Sequence, residues 1–239
     1  MTHHGCLRLD GLLDADRAAY FTDVIDRAFE ACDQRNQDPA SRSPWFVPFE
    51  VGEEKAAGFG SHAFVRTADV PTAMRHLVDV FTRSGLRAAV AEYFGERPAM
   101  IANKWVLRLS PSGKIGTDYH QDGAFLGEGI RTLNCWIALS DCGPGTNRPA
   151  MELVPRRFDL LGPDPDAAFG WSVTEETVAA SMPGAPVVSP VFRAGDALLF
   201  DERLPHRTSV GLDLSPRYAI ESWFVAPSSY PAKHVPFVL

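Results

Sequence analysis

Two histidines and an aspartate stand out in this chain for the chemistry they could share. Tyr119-His120-Gln121-Asp122-Gly123 sets an imidazole and a carboxylate two residues apart, and Leu204-Pro205-His206-Arg207-Thr208 supplies a second imidazole far downstream. Side chains at i and i+2 of an extended strand leave the same face, so His120 and Asp122 are expected to meet one metal ion. With His206 they would complete the two-histidine, one-carboxylate facial set that suits non-haem Fe(II). Such a set fills one side of an octahedron and leaves adjacent positions for a bidentate 2-oxo acid and for dioxygen.

A dicarboxylic co-substrate needs a second anchor, and the planar fork of an arginine matches a carboxylate. Arg217 is the candidate. If the chain turns back at Leu212 and Asp213, a hairpin sets Thr208 opposite Arg217 and Ala219 opposite His206. Directly opposite residues share a face, so guanidinium and hydroxyl would reach one spot beside the metal.

The elements that must carry these residues are legible in outline. Asp14 caps an expected helix in which Phe21, Val24, Ile25, Ala28 and Phe29 fall at helical spacing. Pro71 starts a second helix with Met74, Leu77, Val78 and Phe81 on its inner face, ended by Gly85, and a third runs from Leu86 to a stop at Gly95. Between them, Asp33 to Arg66 mixes prolines and glycines with Trp45, Phe46, Phe49, Phe59 and Phe64, which predicts a lid over a pocket or a loop closing a barrel end.

After Pro98 the pattern is β. Strands are expected at Met100–Ser110, Thr132–Leu139, Met151–Val154, Pro186–Phe192, Asp196–Phe200, Arg207–Val210 and Arg217–Val225. Helices first and many short strands afterwards point to an antiparallel sandwich or barrel with helices on one side. A single domain is expected: residues 1–98 helical and loop or lid, 99–226 the β core, 227–239 a C-terminal tail.

Composition narrows the partners. A formal charge of −7 argues against a nucleic-acid ligand, which needs a basic face. No apolar run approaches the roughly 20 residues that span a bilayer, and the amino end lacks a signal-peptide pattern, so a cytoplasmic protein without a membrane partner is expected. Cys6, Cys32, Cys135 and Cys142 form no Cys-x-x-Cys pair, as suits reduced thiols. Nothing in the sequence sets the oligomeric state.

Taken in order, Tyr-His-Gln-Asp-Gly, then Asn134-Cys-Trp-Ile-Ala-Leu-Ser-Asp141, then Gly195-Asp-Ala-Leu-Leu-Phe-Asp201, then Pro205-His-Arg-Thr208 and the Arg217 strand resemble the phytanoyl-CoA dioxygenase family of Fe(II)/2-oxoglutarate oxygenases. The resemblance runs roughly from Met100 to Val225. It implies a double-stranded β-helix fold (jelly-roll, cupin-like), iron held by His120, Asp122 and His206, and 2-oxoglutarate held by Arg217 with Thr208. It also implies that Trp136 lines the co-substrate pocket with Asn134 on its face, and that Lys104, next to Asn103, lies on a strand that often sends a polar group to 2-oxoglutarate. Two points bear on the chemistry. The family's Pro-Gly-Ser-His turn is here Pro155-Arg156-Arg157-Phe158, and those arginines, with Arg66 and Arg131, either face an acidic substrate or are simply solvated. Asp122 is the carboxylate that related halogenases replace with a small residue.

The activity implied is hydroxylation of an unactivated C–H bond in a small organic molecule, with O2 consumed and 2-oxoglutarate decarboxylated to succinate and CO2. Desaturation or cyclisation fits the same residues. A zinc-dependent hydrolase would use the triad to activate water but would not need the Arg217 clamp. A non-catalytic β-barrel ligand-binding module would need no metal at all.

Overall fold

Asp14 opens the first helix, as its side chain accepts a hydrogen bond of 2.8 Å from the Arg17 N–H. Helix α1 (Ala15–Gln37) then buries Phe21, Val24, Ile25 and Ala28, the stripe that the 3.6-residue period sets out. Helix α2 (Pro71–Arg83) starts on its proline and buries Leu77 and Phe81, while Met74 and Val78 are only partly covered. Gly85 at φ 76° admits the sharp turn into α3 (Leu86–Phe94), and Gly95 at φ 73° closes it. Both angles lie in the left-handed region that glycine enters without a Cβ clash.

The computed structural model describes residues 1, 3–48, 64–110, 113–115, 118–149, 151–162, 164–167, 170–209, 211–232 and 234–238. Its strands are β1 (Cys6–Leu9), β2 (Phe64–Arg66), β3 (Ala99–Ile101), β4 (Val106–Ser110), β5 (Gly113–Ile115), β6 (Tyr119–His120), β7 (Thr132–Ala138), β8 (Met151–Leu153), β9 (Ser172–Val173), β10 (Ala197–Asp201), β11 (His206–Thr208), β12 (Gly211–Leu214), β13 (Arg217–Val225) and β14 (Pro236–Val238). Two short helices, α4 (Asp122–Leu126) and α5 (Glu175–Ser181), lie among them. A main sheet runs β1-β10-β7-β13-β3-β14, with β4 also on β13 and β2 on β4, and a smaller sheet runs β8-β11-β6-β9. All these pairings are antiparallel.

Both faces of the main sheet are covered, which is why every residue of β7 is buried. Leu133, Cys135 and Ile137 of β7, with Ile220 and Phe224 of β13, pack under the helices around Phe81 and Trp105. The alternate positions, Trp136 and Ala138 of β7 and Ala219 of β13, face inward with Met151, Leu153 and Leu204 from the side of the smaller sheet. The period of two therefore sorts alternate side chains of these strands into two separate apolar clusters, one under the helices and one on the inside.

Several expectations are corrected. Met100–Ser110 is not one strand: a 3₁₀ turn over Ala102–Lys104 divides β3 from β4. Pro186–Phe192 forms only isolated bridges, Val188 to Leu153 and Phe192 to Cys142, because Pro186 and Pro190 offer no N–H to a ladder. The hairpin from Thr208 to Arg217 is absent. β11 pairs with β6 and β8, β13 pairs with β4 and β7, and β12 between them pairs with β5, so Thr208 lies opposite Met151 and Ala219 opposite Arg108 and Ala138. β11, β12 and β13 each belong to a different sheet, which a hairpin reading cannot express.

The proposed boundaries shift too. β1 pairs with β10 and β14 with β3, so stretches assigned to a helical region and a tail are strands of the main sheet. Most of the aromatic stretch before Phe64, including Phe49 and Phe59, lies outside the described residues. Phe46 is buried in the cluster that also takes the buried face of α1, and Trp45 lies under Arg27, 4.8 Å from guanidinium to ring. No helix among the described residues is long and apolar enough to cross a membrane.

Candidate metal centre

β6 ends at His120, and the chain turns at Gln121 into α4, so Asp122 is the first residue of a helix and not the next-but-one on a strand. The two side chains still converge, by a turn that brings the carboxylate inward. His206 opens β11 directly opposite His120, with ring centroids 4.2 Å apart. One ligand atom from each of His120, Asp122 and His206 lies within 4.8 Å of the others. That spacing suits three donors on one face of a metal ion.

Surrounding groups hold two of the three donors, His206 and Asp122. The Nδ1 of His206 lies 3.0 Å from the Leu204 carbonyl; protonated there, it donates to that oxygen and leaves the Nε2 lone pair facing Asp122 Oδ1 at 3.8 Å. Asp122 Oδ2 accepts 2.6 Å from the Trp223 indole N–H and 3.2 Å from Asn134 Nδ2. One carboxylate oxygen is thus held by the protein while the other faces the imidazoles. Burial, and after it the nearby His206, pushes the His120 pKa well below its usual 6.5, so the ring is neutral at physiological pH. Burial pushes Asp122 upward, opposed by His206 and by the Trp223 and Asn134 hydrogen bonds.

Arg217 begins β13 on the same inner face, 3% exposed. Its Nη2 donates to Thr208 Oγ1 at 3.3 Å and its Nη1 to the Pro149 carbonyl at 3.2 Å. The guanidinium carbon lies 5.4 Å from the centre of the Trp136 ring. Arginine and threonine meet as the sequence led us to expect, but from facing sheets and not across a hairpin. Asn134 shares the inner face with Trp136 and touches Asp122. Lys104 stands on the 3₁₀ turn, its Nζ 4.6 Å above the Phe125 ring, while Asn103 accepts from the Val235 N–H.

Scanned against protein families, residues 1–210 match the phytanoyl-CoA dioxygenase (PhyH) model. This chain belongs to the phytanoyl-CoA dioxygenase family. It is accordingly an enzyme of the iron- and 2-oxoglutarate-dependent oxygenase type. No curated protein sequence matches the chain significantly. Among solved structures, AviO1 from Streptomyces viridochromogenes Tue57 is 24% identical, with 96% of this chain and 93% of that one covered at a TM-score of 0.59. The epimerase SnoN from nogalamycin biosynthesis, in complex with Fe3+, alpha ketoglutarate and nogalamycin RO, is 21% identical over 94% of this chain and 80% of its own, at 0.59. EctD from S. alaskensis, with 2-oxoglutarate and 5-hydroxyectoine, is 18% identical over 95% and 74%, at 0.62. At these identities the likeness is one of fold, the double-stranded β-helix.

The family-model match begins at residue 1, well before the Met100 start of the motifs, and the unusual Arg156-Arg157 turn has a structural use. Arg157 Nε lies 2.6 Å from Asp201, which is fully buried, while Arg156 covers the Phe158 ring. Arg66 likewise pairs with Asp69, and Arg131 donates to the Phe94 carbonyl. Sequence reasoning missed Trp223, although it lies six residues beyond Arg217 and so on its face. It also missed Trp171, whose ring centroid is 5.1 Å from that of His120. Trp171 comes from a loop, where no periodicity marks it.

Proposed function

We propose that this protein hydroxylates an unactivated C–H bond of a small organic substrate, with Fe(II) held by His120, Asp122 and His206 and 2-oxoglutarate held by Arg217 and Thr208. The observation that carries the reading is the convergence of three metal-type donors, each fixed by a further partner or by its strand, beside a buried arginine. The donor set fits the metal: two imidazoles and one carboxylate, borderline and hard ligands together, suit Fe(II). When bound, iron with 2-oxoglutarate and dioxygen supplies the oxidation, and the co-substrate leaves as succinate and CO2.

The chain's own part is positioning. Leu204 orients His206 through Nδ1, and Trp223 and Asn134 hold Asp122 so that one oxygen turns to the metal position. Trp136 sets its ring against the Arg217 guanidinium, whose planar fork matches a carboxylate beside the Thr208 hydroxyl. Phe125 and Trp171, 5.5 Å apart, flank His120 with apolar surface. Asp122 keeps a carboxylate in the ligand position, which favours hydroxylation over halogenation.

The test is anaerobic visible absorption of the Fe(II)-loaded protein during titration with 2-oxoglutarate. A charge-transfer band that appears in wild type and is lost in Asp122→Ala and weakened in Arg217→Ala supports the site. A folded wild type with no band at excess 2-oxoglutarate refutes it. Product mass then separates the reactions: a gain of one oxygen marks hydroxylation, an unchanged mass epimerisation and a loss of two hydrogens desaturation or cyclisation.

A further inference from the structure

Alternate side chains of β13 point inward. Arg217 at one end reaches Thr208, and Trp223 towards the other reaches Asp122. Glu221 shares their face, four residues from the clamp and two from the tryptophan that holds the metal ligand. Arg108 arrives at the same place from β4, directly opposite Ala219, whose methyl group takes little room. The Arg108 guanidinium pairs with Glu221 through Nε and Oε1, and the Phe64 ring, opposite on β2, lies 5.6 Å from its Cζ.

Neither side chain has another polar partner among the described residues. Their side chains are 32% and 12% exposed, so the pair is not sealed in the core. An ion pair half withdrawn from water adds little net stability. It leaves guanidinium N–H donors and a carboxylate oxygen side by side on the inner wall, between the co-substrate clamp and the metal ligands.

We infer that Arg108 and Glu221 recognise the primary substrate, and that this substrate is a neutral molecule bearing hydroxyl groups. The inference rests on the oxygenase reading. A hydroxyl both accepts from a guanidinium N–H and donates to a carboxylate oxygen, so it satisfies both partners at once. An anion would meet Glu221 and a cation would meet Arg108, each at the cost of like-charge repulsion. Phe64 beside the pair, and Phe125 and Trp171 beside His120, provide apolar faces for the carbon frame of such a molecule.

The experiment uses the Fe(II)-loaded enzyme as wild type, Glu221→Gln and Arg108→Met. The 2-oxoglutarate band is titrated first, and then turnover is followed by product mass on a panel of neutral polyols and hydroxylated rings, monoanions and monocations. We expect neutral hydroxylated compounds to be preferred, and both variants to lose roughly tenfold or more in kcat/KM while the band titrates within about twofold of wild type. Preference for a charged class, turnover of no neutral compound, or variants that match wild type would overturn the inference. If Arg108→Met weakens 2-oxoglutarate binding as Arg217→Ala does, Arg108 belongs to the co-substrate clamp and the inference also falls. Failure of wild type to form the band strikes at the oxygenase reading itself, so the two failures are told apart.

Discussion

Trp223 shows how much one side chain beside the proposed metal ligands carries. Its indole N–H holds Asp122 Oδ2 at 2.6 Å, with Asn134 as the longer second donor at 3.2 Å. Trp223→Phe keeps most of the packing and removes that donor. Fe(II) affinity should fall by about 10- to 100-fold, the usual cost of losing such a partner, and metal titration checks it. At the clamp, Arg217→Lys keeps the charge but loses the fork and the stacking over Trp136. 2-Oxoglutarate should bind roughly tenfold or more weakly, measured by anaerobic calorimetry. His120 gives a pH prediction for the metal-free protein. Its folded pKa lies well below 6.5, chiefly through burial and then His206, with a hydrogen bond involving the Asp118 backbone opposing. Below about pH 6.5 the unfolded chain binds the proton and the folded chain does not, so stability falls as pH drops. The urea midpoint of wild type should therefore decline more steeply from pH 7.5 to 5.5 than that of His120→Asn.

Among the elements, the turn into β10 is the tightest join. Gly195 has φ 98°, and a Cβ there would lie 2.2 Å from the Leu13 carbonyl oxygen, a clash with backbone that cannot swing away. The same turn accepts a 3.0 Å hydrogen bond from the Leu13 N–H at the entrance to α1. Gly195→Ala should cost about 3 kcal/mol or more, from a forced left-handed angle plus overpacking. Gly85 is the control: its φ is 76°, but nothing lies within 4 Å of an added Cβ, so Gly85→Ala should cost only about 1 kcal/mol. Denaturant midpoints of the two variants compare strain alone with strain and collision.

At the scale of the molecule, a buried polar knot fastens the amino end to the β core. Asp201 on β10 takes Arg157 at 2.6 Å and the Tyr93 hydroxyl at 3.4 Å, and its backbone N–H donates to Gly5. Arg157→Met would leave a fully buried carboxylate without its cation. Because Arg157 is itself partly exposed, the loss should be about 1–3 kcal/mol, below the cost of breaking a fully buried pair, whereas Arg156→Met should change stability by less than about 0.5 kcal/mol. Thermal unfolding of both variants decides.

Much of this was legible in the residues. The helical stripe of α1, its Asp14 cap, the Pro71 start and the Gly95 stop follow from short-range rules, and α1 and α3 lie where those rules set them. The pairing of Asn134 with Trp136 on one inner face follows from the period of two. His120, Asp122 and His206, which the structure brings together, and Arg217, which it brings to Thr208, could be singled out as candidates because few residue types suit this chemistry and their order is informative. What the sequence could not supply was any relation between elements distant along the chain. Whether β11 and β13 form a hairpin or stand in facing sheets depends on how two sheets close on each other, and the local pattern is the same in both cases. The ends of the chain join the main sheet for a similar reason: β1 and β14 are too short to announce themselves and gain their ladders only from β10 and β3. The sequence thus determined which groups are available, and the closure of the β-helix decided which of them meet.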